Sequence, residues 1–232
     1  EPWERASPRV PARDHVRERF LAAIHSSVDL EEVAYAIVNE GRRLLGCDRL
    51  SLVEVHRKRT RLLAVSGTDE PARQSSVVRS LERLSALVAN VDEPIWYGGD
   101  SSPLPPQLQE ALDEYINHAN VRRLAIVPLK GRAKDADVSF EASDRPAIGM
   151  LVVEDFRALV DEDDLWAGVE DIRPQVGLAL QNALTLQRMP LAGLSRSLKV
   201  AAEKLYAPRT MLAIATMALL FVAMFMIKTD LN

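Results

Sequence analysis

Apolar positions in this 232-residue chain recur either every three or four residues or in short unbroken runs, and each change of rhythm marks a new element. Val16, Phe20 and Ile24 line one face of a helix from Arg13 to near Ser27. Asp29 then offers an N-cap oxygen, with Glu32 placed to complete a capping box. Leu30, Val33, Ile37 and Leu44 form the inward stripe of this second helix, and Gly46 stops it. Arg49 to His56 and Arg61 to Ser66 are β-rich runs joined by a polar turn, which predicts a hairpin. Val77, Leu81, Leu84 and Val88 return to helical spacing, and a brief strand follows at Ile95 and Trp96. The breaker-rich loop Gly98 to Pro106 leads into a helix that buries Leu108, Leu112, Tyr115 and Ile116. Leu124 to Leu129 and Ala147 to Val153 are apolar enough for central strands covered on both faces. The polar segment Gly131 to Pro146 separates them. A long helix runs from Asp161 or Asp163 to Met189, and Pro174 is expected to bend it.

Hairpin-paired strands with helices grouped around them predict an antiparallel α+β fold over residues 13–189, preceded by a flexible, proline-rich lead-in at 1–12. No glycine-rich phosphate loop is present. Met211 to Ile227, MLAIATMALLFVAMFMI, is free of charge, and at about 1.5 Å per residue it approaches the thickness of a hydrocarbon core. With its flanks it predicts one C-terminal transmembrane helix over 210–228. Arg188, Arg196, Lys199, Lys204 and Arg209 precede that span and only Lys228 follows it, which places the preceding domain in the cytoplasm and starts a non-cytoplasmic region at 229–232. The expected location is thus the inner, cytoplasmic membrane, with the lipid bilayer as a partner. Residues 190–209 carry Leu191, Leu194, Leu198, Ala201 and Leu205 as an amphipathic juxtamembrane helix. Such a stripe fits either a two-heptad coiled coil or a helix lying on anionic head groups.

Composition narrows the chemistry. A formal charge of −4 with acids and bases interleaved leaves no basic stripe for nucleic acid. The single cysteine, Cys47, excludes an internal disulfide, and the four histidines show no paired ligand spacing, so no metal is implied. No Ser, His and Asp set stands at motif spacing, so no catalytic residue is assigned and no enzyme is expected. The acids Asp161 to Asp164 match the first turn of a helix better than a calcium loop. The chain begins at Glu1 without an initiator Met or an apolar leader, as expected of a piece of a longer protein.

Five phrases in order, LLGCDRLSLVEV (44–55), LLAVSG (62–67), LAIVPLKG (124–131), AIGMLVVEDF (147–156) and VGLALQNALTLQ (176–187), resemble the GAF domain family across roughly Asp29 to Arg188. The resemblance implies a five- or six-stranded antiparallel sheet with the first and last helices on one face, where such domains often form homodimers. Leu165, Val169, Ile172, Val176, Ala179, Ala183 and Leu186, spaced by fours and threes, would then be the dimer seam; the same stripe could instead pack on the domain's own sheet. A small-molecule pocket would lie on the other face, between Ser75 and Asn120. Trp96, Tyr97, Tyr115 and His118 fall in that region, with Arg122 or Arg123 available to an anionic ligand. Aromatics at a filled core edge would give the same pattern. No cofactor is implied. Bilin-binding relatives attach chromophore through a later cysteine that is lacking here, and relatives that reduce methionine sulfoxide need more than one cysteine. Cyclic-nucleotide-binding relatives carry an Asn-Lys pair that this chain does not have. Cys47 reads as a small buried filler.

A cytoplasmic segment followed by one span and the exit KTDLN is also similar to the entry into a periplasmic adaptor of the membrane-fusion (HlyD-like) type. Together these features predict a membrane-anchored, cytoplasmic sensory or regulatory domain at the front of a larger secretion, efflux or signalling protein, with transport proteins as possible partners. The competing expectation is a ligand-free module that only dimerises and assembles the cytoplasmic side of a transport complex.

Overall fold

A computed structural model describes residues 11–57, 59–68, 74–101, 104–131, 146–157 and 161–189. The lead-in before Pro11, most of the polar 131–146 segment, the juxtamembrane stretch 190–209, the predicted span 210–228 and the exit 229–232 lie outside those residues. Among the described residues no helix is long and apolar enough to cross a membrane.

Ten elements follow one another: α1 (Pro11–Ile24), α2 (Leu30–Leu45), β1 (Arg49–His56), β2 (Arg59–Val65), α3 (Ser76–Val91), β3 (Ile95–Tyr97), α4 (Pro106–Ala119), β4 (Arg123–Lys130), β5 (Ala147–Asp155) and α5 (Glu162–Gln187). Local chemistry sets the helix ends. Asp29 accepts from the backbone N–H of Glu31 and Glu32, while Gly46 takes the left-handed conformation at φ 70° that lets its N–H reach Arg42 O. Asp161 caps the N–H of Asp163 and Asp164, so the acids there cap a helix as expected. Pro11 opens α1, a position where its missing N–H costs no helix bond. Pro174 sits inside α5, which continues past it.

The strands pair antiparallel in the order β2-β1-β5-β4-β3, giving five strands. β4 and β5 run down the middle and are buried along both faces, as their unbroken apolar runs require. β3 pairs only with Leu124 to Ile126, so Pro128 further along β4 has no third strand beside it to miss its N–H. A register shift opposite Leu52 and Val53 leaves Leu63 unpaired on β2, which lets Leu62 and Ala64 enter opposite cores.

Those cores are separate clusters. Phe20 and Ile24 of α1, the stripe of α2 and the stripe of α5 cover one face of the sheet. Leu81, Leu84 and Val88 of α3, with Leu108, Leu112 and Tyr115 of α4, cover the other. The first and last helices therefore share a face, as expected. Close approach of α5 rests on two glycines. A Cβ on Gly149 would stand 2.5 Å from Leu180 Cδ2, and one on Gly177 would stand 2.6 Å from Lys130 O.

Two details differ from the sequence expectation. Val78 is the fully buried valine at the start of α3, while the expected Val77 packs half-buried against the same cluster. The larger correction concerns the expected dimer seam: Leu165, Val169, Ile172, Val176, Ala179 and Ala183 are buried in the domain's own core, and only Leu186 is exposed, at 38 %. The four-and-three spacing arises because one stripe of α5 faces a sheet, and that stripe is not available to a second copy.

Candidate functional site

Strand alternation decides which side chains meet above the sheet. On the α3/α4 face one cross-strand row reads Arg49 (β1), Glu154 (β5), Leu124 (β4) and Tyr97 (β3). Into this row Tyr115 descends from α4. Its hydroxyl donates to Glu154 Oε1 at 2.6 Å, and Arg49 grips the same carboxylate with Nε to Oε2 and Nη2 to Oε1, each at 2.5 Å. Glu154 is 0 % exposed, and a buried carboxylate is tolerable only with such partners. Phe156 closes the outer side, its ring 4.9 Å from the Arg49 guanidinium carbon. Burial first, and then the charge of Glu154, pushes the Tyr115 hydroxyl far above its ordinary pKa, so it remains a donor. Burial alone would lower the Arg49 guanidinium, but the hydrogen bond and charge of Glu154 outweigh it and raise the pKa.

Around this polar cluster, buried apolar side chains of the described residues occupy the face. Leu81, Leu84, Leu112, Ile126, Met150 and Val152 pack between the sheet and the two helices. The helices are joined at their outer side by Arg83 to Glu114 at 2.8 Å and by a 3.4 Å contact of His118 Nδ1 with Ser80 Oγ.

The five expected pocket residues do not converge. Tyr115 lies inside and Tyr97 shares its face, half-buried. Trp96, adjacent to Tyr97 on a strand, turns to the opposite face, where it meets Trp166 edge-on with centroids 6.0 Å apart. Its Nε1 is buried with no hydrogen-bond partner among the described residues. Arg123 also lies on that opposite face, paired across strands with Asp155 and in step with Ala125 and Val127. His118 is exposed on α4. Sequence reasoning missed Arg49 and Glu154. The available signal was Glu154 itself, a charge near the end of the otherwise apolar AIGMLVV run, which alternation turns inward.

At the same sheet end, Asp48 accepts from the backbone N–H of Phe156 at 2.9 Å and of Arg157 at 3.2 Å, and from the Arg157 guanidinium. That guanidinium is the main cause holding the Asp48 carboxyl down at about 2. Cys47, next to it, is buried, and burial raises its thiol to about 12. It behaves as a filler without nucleophilic character.

The GAF domain pattern matches residues 29–180. The chain belongs to the GAF domain family. GAF domains are typically sensory or regulatory units of signalling proteins, and that broad role applies to this one. Solved structures agree on the fold. The GAF domain of an Acinetobacter phosphoenolpyruvate-protein phosphotransferase is similar at 18 % identity and TM-score 0.52, covering 76 % of this chain and 98 % of that one. A methyl-accepting chemotaxis protein fragment, residues 122 to 287, is similar at 17 % identity and TM-score 0.51, with coverage of 74 % and 99 %. The GAF domain of a Coxiella burnetii phosphoenolpyruvate-protein phosphotransferase is similar at 13 % identity and TM-score 0.50, with coverage of 76 % and 97 %. No curated protein matches the chain. In GAF terms the Arg49–Glu154–Tyr115 cluster stands where the resemblance implied a ligand pocket.

Proposed function

We propose that the chain is a membrane-anchored regulatory GAF module that works through protein contacts and holds neither chromophore nor nucleotide above its sheet. The α3/α4 face supports this reading, because own side chains fill it and Glu154 already has three bonds from Arg49 and Tyr115. A ligand entering there would have to displace leucines and break a paired, buried carboxylate, which costs several kcal/mol before any contact is gained. The uncharged run Met211 to Ile227 supplies the anchor, and the basic residues before it put the domain on the cytoplasmic side. The chain then forms the front end of a larger signalling, secretion or efflux protein, associates as a homodimer through helix surfaces outside the α5 stripe, and has no catalytic step of its own.

Intact mass and alkaline extraction of the protein from its native membrane test the proposal together. A membrane-retained species well above 25.8 kDa is expected. Retention at a mass near that value rejects the front-end role, and release into the alkaline supernatant rejects the anchor. Separately, purified protein carrying a stoichiometric bilin or nucleotide would reject the filled-face reading.

A further inference from the structure

Residues 54–61, EVHRKRTR, carry four cations against one acid where β1 turns into β2. His56 pairs with Arg59, so the hairpin reverses within the two residues between them. Asn and Gly are the usual occupants of such turns, because they tolerate positive φ. This chain instead holds Arg57 there, at φ 57°. Arg57 and Arg59 are exposed, and neither meets a carboxylate at ion-pair distance among the described residues. Two acids close in the fold face other groups: Glu54 accepts from the Arg61 guanidinium at 3.0 Å, and Glu82 of α3 accepts from the Leu62 N–H at 2.8 Å.

The course of α5 shows what lies beyond this tip. Gly177 stands against Lys130 O, Leu180 against Gly149 and Gln181 against Gly131, one residue past the end of β4. The last turns of α5 therefore leave the sheet at the end where β4 finishes and β5 begins. Glu54 pairs with Gly149, so β1 reaches that same end at His56. Basic tip and C-terminal end of α5 thus project from one end of the sheet. Residues 188–209, five cations against one acid, connect α5 to the uncharged run Met211 to Ile227. That stretch has the sign of the tip and cannot serve as its partner. Residues 132–145, between β4 and β5, hold four acids against three cations and offer only one surplus negative charge. An anionic bilayer surface attracts the tip and the connecting stretch alike. The tip has no Phe, Tyr or Trp on which a nucleic-acid base would stack.

We infer that the tip of the β1–β2 hairpin is a docking surface for the anionic phospholipid head groups of the bilayer that anchors the chain, with Arg57 and Arg59 making the contact. The inference rests on the anchor proposed above. It gives the domain a second, electrostatic attachment, so that its stance on the bilayer follows lipid charge and ionic strength.

The test reconstitutes the full chain into nanodiscs of phosphatidylcholine alone or of equimolar phosphatidylcholine and phosphatidylglycerol. Deuterium uptake is followed by mass spectrometry over Val55 to Leu62, with α4 as the internal reference. Slower uptake at the tip in the anionic discs is expected, with α4 unchanged and the difference lost in about 1 M salt, where charges are screened beyond about 3 Å. Each cation near an anionic surface shifts docking about fivefold, so Arg57→Asn with Arg59→Gln should weaken it about 25-fold and return uptake to the neutral-disc level. Asn suits the positive φ at 57 and both positions are exposed, so the hairpin is retained. The comparison of lipids needs no variant. Equal uptake in the two discs, slowing that survives high salt, full slowing in the double variant, or slowing by an oligonucleotide but not by anionic lipid would each overturn the assignment. Co-elution with neutral discs in high salt reads the anchor separately. A chain that does not enter those discs rejects the anchor, and the tip is then judged with anionic discs added to the free chain: slower uptake supports docking and unchanged uptake overturns it.

Discussion

Tyr115→Phe isolates the contribution of the polar cluster above the sheet. The ring is 1 % exposed and would be kept by phenylalanine, so no cavity forms and core volume is conserved. What is removed is one hydrogen bond, 2.6 Å long, to a carboxylate that has no access to water. Hydrogen bonds to charged groups contribute about 1.5–3 kcal/mol. Glu154 retains both bonds from Arg49, and Arg49 is 29 % exposed, so some solvent relaxation is available at that end. The expected loss is therefore near the middle of the range, about 2 kcal/mol, or roughly 4–8 °C in Tm for a domain of this size. Urea unfolding followed by tryptophan fluorescence, with Trp96 and Trp166 as core reporters, gives the value directly, and an unchanged m keeps the comparison two-state. Tyr97→Phe is the control: Tyr97 shares the face and the cross-strand row but is only half-buried, and should lie within about 0.5 kcal/mol of the parent. Arg49→Met should cost about 3 kcal/mol, because it leaves the buried carboxylate with one partner. The double variant should depart from additivity by at least about 1 kcal/mol. A Tyr115→Phe domain as stable as the parent, or additive single changes, would refute the view that these three side chains act as one buried unit.

Three further outcomes follow from other parts of the fold. Val169→Ala, in the α5 stripe, should destabilise the domain itself by about 2 kcal/mol in urea while leaving its oligomeric state by light scattering unchanged; a folded chain of full stability that has lost its partner would mean the stripe pairs with a second copy. Cys47 should resist a thiol reagent at pH 8 until the chain unfolds, since burial raises the thiol to about 12; labelling at the rate of a free thiol would contradict its burial. Asp48, held at about 2 and so below the ordinary aspartate range, stabilises the fold above about pH 4, and that contribution is lost as pH falls from about 4 to 2. Asp48→Asn should therefore lower the urea midpoint at pH 7 and flatten its fall over that acid interval; parallel curves for parent and variant would remove Asp48 as the cause.

How much was legible in the chain depends on the range of the forces involved. Helix ends are set by atoms two to four residues apart, so Asp29, Gly46 and Asp161 announced their helices without any tertiary partner. Strand existence was equally local, because β4 and β5 are buried on both faces and their apolar runs are continuous. The element order with hairpin pairing then sufficed for an antiparallel α+β domain and for the family phrases.

Which face a residue occupies is a different kind of quantity. It changes sign with each step along a strand, so an uncertainty of one position reverses it. Trp96 and Tyr97 looked alike as candidate pocket residues and stand on opposite sides of the sheet; Arg123, also expected at the pocket, went with Trp96. Arg49 and Glu154 meet only because β1 and β5, 105 residues apart in sequence, pair in one register, and Tyr115 reaches them only once α4 lies down on that face. The α5 stripe illustrates the same limit from the other direction. Spacing by fours and threes states that one side of a helix is apolar, and it is silent on whether a sheet or a second helix covers it. By itself the sequence determined which segments are helix or strand and that they fold as a GAF domain, since both depend on local bonding and pattern. Tertiary structure alone decided that the α5 stripe is core, that leucines of α3 and α4 pack on the expected pocket face, and that a buried ion pair with a tyrosine stands among them, because those outcomes depend on register and on contacts between segments far apart in the chain.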